Sequence, residues 1–249
     1  MTSRGIFAWP HRPPNNEVHR RPTAFTLIEL LVTVAIIGIL SSLLLSGIAR
    51  SKAKARSISC QQQLRQWGIG LFLYAGDHDD QIPRRGQGSR PIQVVDRAED
   101  WFNALPPLLD LPSYNQRIQA VTDAPLERAP LFDCPSTRAS TNQPPDFSYG
   151  MNIYLSPWIE PQPHRLQQFR TPANVPFLAD GGARYSATVP SAHEYSVNPR
   201  HHERANLVFL DGHVQSYRSD YLGCGVGDPE RPDIRWFNDI PGGVEVRLD

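Results

Sequence analysis

The sequence has little of what carries most catalytic chemistry and most structural metal sites. Its three cysteines, Cys60, Cys134 and Cys224, include no close pair of the kind that holds structural zinc. The glycines of RRGQGSR, residues 84–90, lack the lysine and hydroxyl of a phosphate-binding loop. There is no G-x-S-x-G elbow and no H-E-x-x-H helix. A surplus of one charge is also missing: 25 basic residues face 25 acidic ones, with a pI near 7.1. That balance argues against nucleic acid as a partner, since such binding shows as a basic domain or stripe. Internal repeats and low-complexity domains are absent. Only one long hydrophobic run occurs, and mean hydropathy is negative despite it, which excludes a multi-span transporter. With 249 residues, one globular domain beyond that run is the natural expectation.

What is there begins with AFTLIELLVTVAIIGILSSLLL, Ala24 to Leu45. A bilayer core requires about 20 apolar residues in a helix, and Phe25 to Ala49 supplies them. Glu29 interrupts the run, and a carboxylate costs roughly 2.5–3.5 kcal/mol at the centre of a membrane helix on insertion scales. A secretory signal has a shorter apolar stretch and a small-x-small site after it; none follows Leu45. A plain signal anchor explains the length but leaves Glu29 without a role.

The polar, basic leader MTSRGIFAWPHRPPNNEVHRRPTA followed by FTLIELLVTVAIIGIL closely resembles the type IV prepilin signal of pilins and type II secretion pseudopilins. The resemblance implies that a prepilin peptidase/methyltransferase cuts between Ala24 and Phe25 and methylates the new N-terminus at Phe25. Glu29 then becomes the fifth mature residue. Ala24 departs from the family's usual glycine, which implies less efficient cleavage. The amine created at Phe25 has a reference pKa of about 7.7–8.0 and is largely cationic at neutral pH. In the family, the acid at the fifth position is thought to meet the amine of a neighbouring subunit during assembly. Each charge would then offset the other's desolvation. Flanking charge does not fix orientation, because Arg4, Arg12, Arg20 and Arg21 are balanced by Arg50, Lys52, Lys54 and Arg56. The cleavage motif implies a cytoplasmic leader, a single pass through the bacterial inner membrane and a periplasmic head.

Beyond the run, Cys60, Leu64, Trp67, Leu71 and Tyr74 form a one-sided apolar stripe at helical spacing. One helix from Phe25 to about Ala75 would be near 75 Å long. This predicts an α+β, pilin-like ladle: a long N-terminal helix on a small, loop-rich antiparallel sheet. The expected divisions are a removed leader at 1–24, a membrane and polymerisation helix at 25–49, its head-docked continuation at 50–76, and a head at 77–249. Gly38 and Gly47 read as places for close helix packing. All but four of the 24 prolines lie from Pro83 onward, so the head should be built of short elements. Glu99 to Leu109 reads as a short helix broken at Pro106-Pro107. Phe147 to Leu155, Val175 to Ala179, Ala205 to Leu210 and His213 to Tyr217 read as strands, the last two flanking the turn Asp211-Gly212. The segments CQQQLRQWGIGLFLYAGDHDDQIP, LFDCPS, FSYGMN, FLADG and HHERANLVFLDGHVQSY resemble a bacterial family with prepilin-type N-termini. That family is named for a His, nine residues, then Asp-Gly: here His201 and Asp211-Gly212. It has no established enzyme activity, and residues 219–249 lie outside the likeness.

Three constellations remain as candidates. His193, His201, His202 and His213 lie near Asp180 and Asp211, which would suit a metal or hydrolytic site. The competing and favoured reading has His201 bracing the Asp211-Gly212 hairpin. Asp77, Asp79 and Asp80 offer oxygen ligands for calcium, as in some major pseudopilins. Arg84 and Arg85 intrude there and no Glu closes a loop, so a solvated helix end is favoured; otherwise no cofactor is expected. All three cysteines follow the hydrophobic run, so on an oxidising side one disulfide and one free thiol are expected. Three pairings exist and the sequence does not choose, although the stripe turns Cys60 toward the head and makes Cys60–Cys134 a candidate.

The leading expectation is a structural, non-enzymatic subunit of a type II secretion pseudopilus or type IV pilus-like filament. Its partners would be other pilin-like subunits and the inner-membrane assembly platform. The alternatives are a membrane-anchored periplasmic enzyme using the His/Asp cluster and a binding module displayed at a filament tip.

Overall fold

The computed structural model describes residues 25–85, 97–120, 131–137, 147–155, 164–181, 191–192, 197–222 and 231–236. The leader with Ala24, the 86–88 glycines, His193 and Cys224 lie outside the described residues. The chain divides into two compact units, split after Ile48.

In the first unit, helix α1 begins (Leu27–Asp77 in all). It is the one described helix long and apolar enough to cross a membrane, and none of its apolar window is buried. The large hydrophobic side chains between Phe25 and Ile48 stand open, from Val32 at 47% exposed to Leu27 at 78%. Such a surface is unstable in water and suits lipid or apolar partners. Two hydroxyls within the run are satisfied locally, as a bilayer demands. Thr33 Oγ1 donates to Leu30 O at 2.8 Å, and Ser42 Oγ donates to Ile39 O at 2.8 Å. A Cβ at Gly38 or Gly47 would meet nothing within 4 Å.

The second unit contains the remainder of α1 and the head. Cys60, Leu64, Trp67 and Leu71 are fully buried and Tyr74 nearly so, as the stripe predicts. Gln62, Arg65 and Gln66 are exposed. Helix α2 (Trp101–Ala104) passes into a 3-10 turn at Pro106–Leu109, the break expected where proline removes amide donors. Helix α3 (Tyr114–Gln119) starts with a capping box between Ser113 and Gln116.

The sheet contains β1 (Tyr149–Asn152), β2 (Pro176–Asp180), β3 (Ser191–Ala192), β4 (Arg204–Phe209) and β5 (Val214–Arg218), in the order β3-β1-β2-β4-β5. Each neighbouring pair among β1, β2, β4 and β5 is antiparallel, but β3 pairs in parallel with β1 and adds an edge that the sequence reading lacked. Its two residues are too few to show periodicity. Strand β1 is shorter than Phe147 to Leu155, because Asn152 Oδ1 accepts from Tyr154 N and turns the chain into a 3-10 turn.

Two apolar clusters form around this sheet. The larger joins the α1 stripe to Trp101, Phe102, Tyr114, Phe132 and Phe147, with Trp67 edge-on to Trp101 at 4.8 Å. The smaller joins Ala205, Leu207, Phe209 and Tyr217 to Leu222, Ile234 and Trp236. Neighbouring β4 residues thus serve different clusters, Val208 the first and Leu207 and Phe209 the second, as alternating side chains on a strand require. Leu222, Ile234 and Trp236, from beyond Ser219, are therefore part of the head's core. A short α4 (Ser219–Leu222) leads into it.

Candidate functional site

The first candidate site is the start of α1. Thr26 is followed three residues later by Glu29 and then by an apolar helix. Thr26 N and Thr26 Oγ1 donate to Glu29 Oε2 at 2.9 and 2.7 Å, and Glu29 N donates back to Thr26 Oγ1 at 3.3 Å. This is a capping box, which satisfies amide donors that a helix start otherwise leaves open. The T-x-x-E spacing was the available sequence signal for it. Within a single chain, Glu29 therefore already has a structural task before any neighbour is met. Phe25, directly ahead of the box, is 68% exposed.

The second lies where α1 meets the head. Cys60 and Cys134 are joined by a disulfide that bridges 74 residues of sequence. Beside it stands His201, with Nε2 at 3.5 Å from Cys134 Sγ and 3.3 Å from Asp180 Oδ2. Ser136 Oγ lies 3.2 Å from His201 Nδ1. Nε2 faces a carboxyl oxygen and a disulfide sulfur, both hydrogen-bond acceptors. The imidazole N–H therefore belongs on Nε2, and the Ser136 hydroxyl donates to Nδ1. Asp180 Oδ2 also accepts from Asn206 N at 2.7 Å. Arg200 closes one side, donating to Thr137 Oγ1 and Gly181 O, each at 3.1 Å.

This arrangement corrects the expectation for His201. Its side chain meets Asp180, Ser136 and Cys134 rather than the Asp211-Gly212 hairpin. The reason is length: β4 carries the chain through six residues between the two sites, about 20 Å at the usual rise per strand residue. Asp211 instead accepts from His213, through the backbone N at 3.0 Å and through Nδ1 at 2.6 Å. Gly212 adopts φ +83, and its Cα side lies against α1. A Cβ at Gly68 would stand 3.3 Å from Gly212 Cα and 3.2 Å from Val208 Cγ2. The paired glycines let helix and hairpin approach closely, a role for Gly68 that the sequence reading missed.

Tyr149, opposite Asp180 in the sheet, donates its hydroxyl to Gln63 Oε1 at 2.5 Å. Burial, reinforced by the charge of Asp180, holds its phenol well above the ordinary range. Gln63 in turn donates to Asp133 O at 3.2 Å, so α1 is tied to the segment carrying Cys134 by polar as well as covalent links.

The acidic trio is spread along a turn. Asp77 ends α1, while Asp79 and Asp80 take positive φ. Asp80 uses its carboxylate on Gln167 N at 2.8 Å. Among the described residues, the one set of three candidate metal ligands within 4.8 Å of one another is Cys60, Cys134 and His201.

Residues 19–45 match the family model of the prokaryotic N-terminal methylation motif. That motif is typical of type IV pilins and pseudopilins and marks a precursor of the kind processed by prepilin peptidase. No curated protein and no solved structure matches the chain. The matched stretch ends at Leu45 and does not include the head.

Proposed function

We propose that this chain is a structural pilin-like or pseudopilin-like subunit that assembles through its N-terminal helix into a type II secretion pseudopilus or a type IV pilus-like filament. Prepilin peptidase releases residues 1–24 on the cytoplasmic side and Phe25 is methylated. The helix holds the subunit in the inner membrane with its head in the periplasm, and the assembly platform passes it to the filament. The observation that carries this reading is the methylation motif laid over a helix start whose apolar surface is wholly unburied. A helix of that kind needs lipid first and neighbouring helices afterwards. The head contributes a stapled scaffold and no catalysis.

The test is mass spectrometry of the mature protein. A chain that begins at methylated Phe25 is the expected product. An intact Met1 start, or a cut after Leu45, would overturn the proposal.

A further inference from the structure

Four side chains from four separate parts of the head form a chain of contacts at the bridge: Cys60 is bonded to Cys134, Cys134 touches His201 and His201 touches Asp180. Cys60 comes from α1, Cys134 from the 131–137 segment, Asp180 from the end of β2 and His201 from the turn before β4. Cys60, Cys134 and Asp180 have no solvent exposure, and His201 has 5%. Asp180 Oδ1 is buried and has no hydrogen-bond partner among the described residues. A buried carboxylate oxygen without a partner is costly, so this carboxylate has capacity for a further donor or cation.

The spacing fits a tetrahedral zinc. Around a tetrahedral zinc, bonds of about 2.3 Å to sulfur and about 2.0–2.2 Å to nitrogen and oxygen place a sulfur about 3.6 Å from a nitrogen, and a nitrogen about 3.4 Å from an oxygen. The observed separations are 3.5 Å from Cys134 Sγ to His201 Nε2 and 3.3 Å from His201 Nε2 to Asp180 Oδ2. Two edges of the tetrahedron therefore exist already. To complete the site, the two sulfurs, bonded to each other in the oxidised chain, must separate to about 3.8 Å, and the Asp180 carboxylate, which stands outside the set of Cys60, Cys134 and His201 whose ligand atoms lie within 4.8 Å of one another, must swing toward them. Thiolate and imidazole ligands select zinc over the hard cations.

We infer that the dithiol form of this head binds one zinc ion through Cys60 Sγ, Cys134 Sγ, His201 Nε2 and the Asp180 carboxylate. The two closures are mutually exclusive and interconvert by balanced steps. A dithiol reductant gives two electrons and two protons to the disulfide and becomes a disulfide itself. Zinc then displaces the two thiol protons to solvent. The imidazole moves its single N–H from Nε2 to Nδ1, where Ser136 Oγ, now accepting, fixes the ring as an outer partner. Either closure fastens α1 to the same loop, so a chain that meets zinc before an oxidant keeps its helix-to-head lock. This inference concerns the head alone and does not depend on filament assembly.

The test uses the full chain in detergent with Cys224→Ser, which removes the third thiol. The chain is reduced with a phosphine and titrated with zinc chloride against a chromophoric chelator. Cobalt(II) serves as a spectroscopic stand-in. The expected result is about one zinc per reduced chain and none in the oxidised chain, with a thiolate-to-cobalt charge-transfer band. His201→Ala and Asp180→Asn should each weaken zinc binding more than tenfold, and Ser136→Ala about tenfold. The inference falls if the reduced chain takes up no more zinc than the oxidised one, if cobalt shows no thiolate band, or if His201→Ala or Asp180→Asn binds like the wild type. Near-ultraviolet circular dichroism guards against a folding artefact. A reduced chain that loses its tertiary signal and does not regain it with zinc also overturns the site.

Discussion

The ring of Phe72 lies over Gly212, so that a Cβ at Gly212 would stand 2.7 Å from Phe72 Cε2. The turn that ends β4 is thus pressed onto α1, and Gly212 answers two demands at once: positive φ and close approach. Phe72 is 46% exposed and its ring can swing aside, whereas the backbone cannot change. Gly212→Ala should therefore cost about 1–3 kcal/mol, chiefly from backbone strain. Adding Phe72→Ala should recover only the steric part, read as a coupling above about 0.5 kcal/mol in a double-mutant cycle of denaturant melts. Full recovery would show that φ is not the constraint.

The Cys60–Cys134 bridge closes a loop across 74 residues of sequence. Loop-entropy arguments assign such a cross-link about 4 kcal/mol, with measured values commonly 2–4. Cys60→Ala with Cys134→Ala should lower stability by that order in zinc-free buffer. Thermal unfolding of the reduced wild type should shift in the same direction.

Alkaline pH should destabilise the head through Tyr149. Its folded-state pKa lies well above the ordinary phenol value of 10.0, with burial as the largest cause. The native state therefore keeps the phenol proton where the unfolded chain has released it. This contribution is complete below about pH 10 and declines as pH rises from there toward the folded-state value. Tyr149→Phe should lose about 1 kcal/mol at neutral pH with the hydrogen bond to Gln63. Its stability should then fall less steeply above pH 10. A slope equal to that of the wild type would assign the alkaline transition to other groups, such as Tyr217, whose pKa is also raised.

Glu29 has two separable properties, a cap and a charge. In a capping box, Gln serves nearly as well as Glu, so Glu29→Gln keeps the helix start and removes only the charge. Glu29→Leu removes both. If assembly requires the carboxylate to meet the Phe25 amine of a neighbour, both variants should insert in the membrane and both should be absent from sheared filaments. Assembly of Glu29→Gln with failure of Glu29→Leu would make the cap, and not the charge, the functional element.

The legible parts of this protein are those fixed by near neighbours in the chain. The Cys60-Leu64-Trp67-Leu71 stripe identified the buried face of α1, because helix periodicity makes those residues one surface. The Pro106-Pro107 break and the turn around Asp211-Gly212 were likewise written in local backbone chemistry. His201 and Asp180 each stood out in the sequence, but their meeting depends on how β2 and the turn before β4 lie in the sheet. Gly68 looked like any helical glycine, and its role appears only against Val208 and Gly212.

By itself, then, the sequence determined the apolar helix, its awkward acid, the methylation motif and the strands that flank the hairpin. Each of these depends on residues within a turn or two of one another. Tertiary structure alone decided that Cys60 pairs with Cys134, that His201 turns to Asp180, and that Trp236 from the tail fills the second cluster. Those contacts join residues distant in the chain: the α1 stripe made Cys60–Cys134 a candidate but left three pairings open, and no local periodicity records the other two. They are selected only when burial, hydrogen bonding and close packing are satisfied together across the whole head.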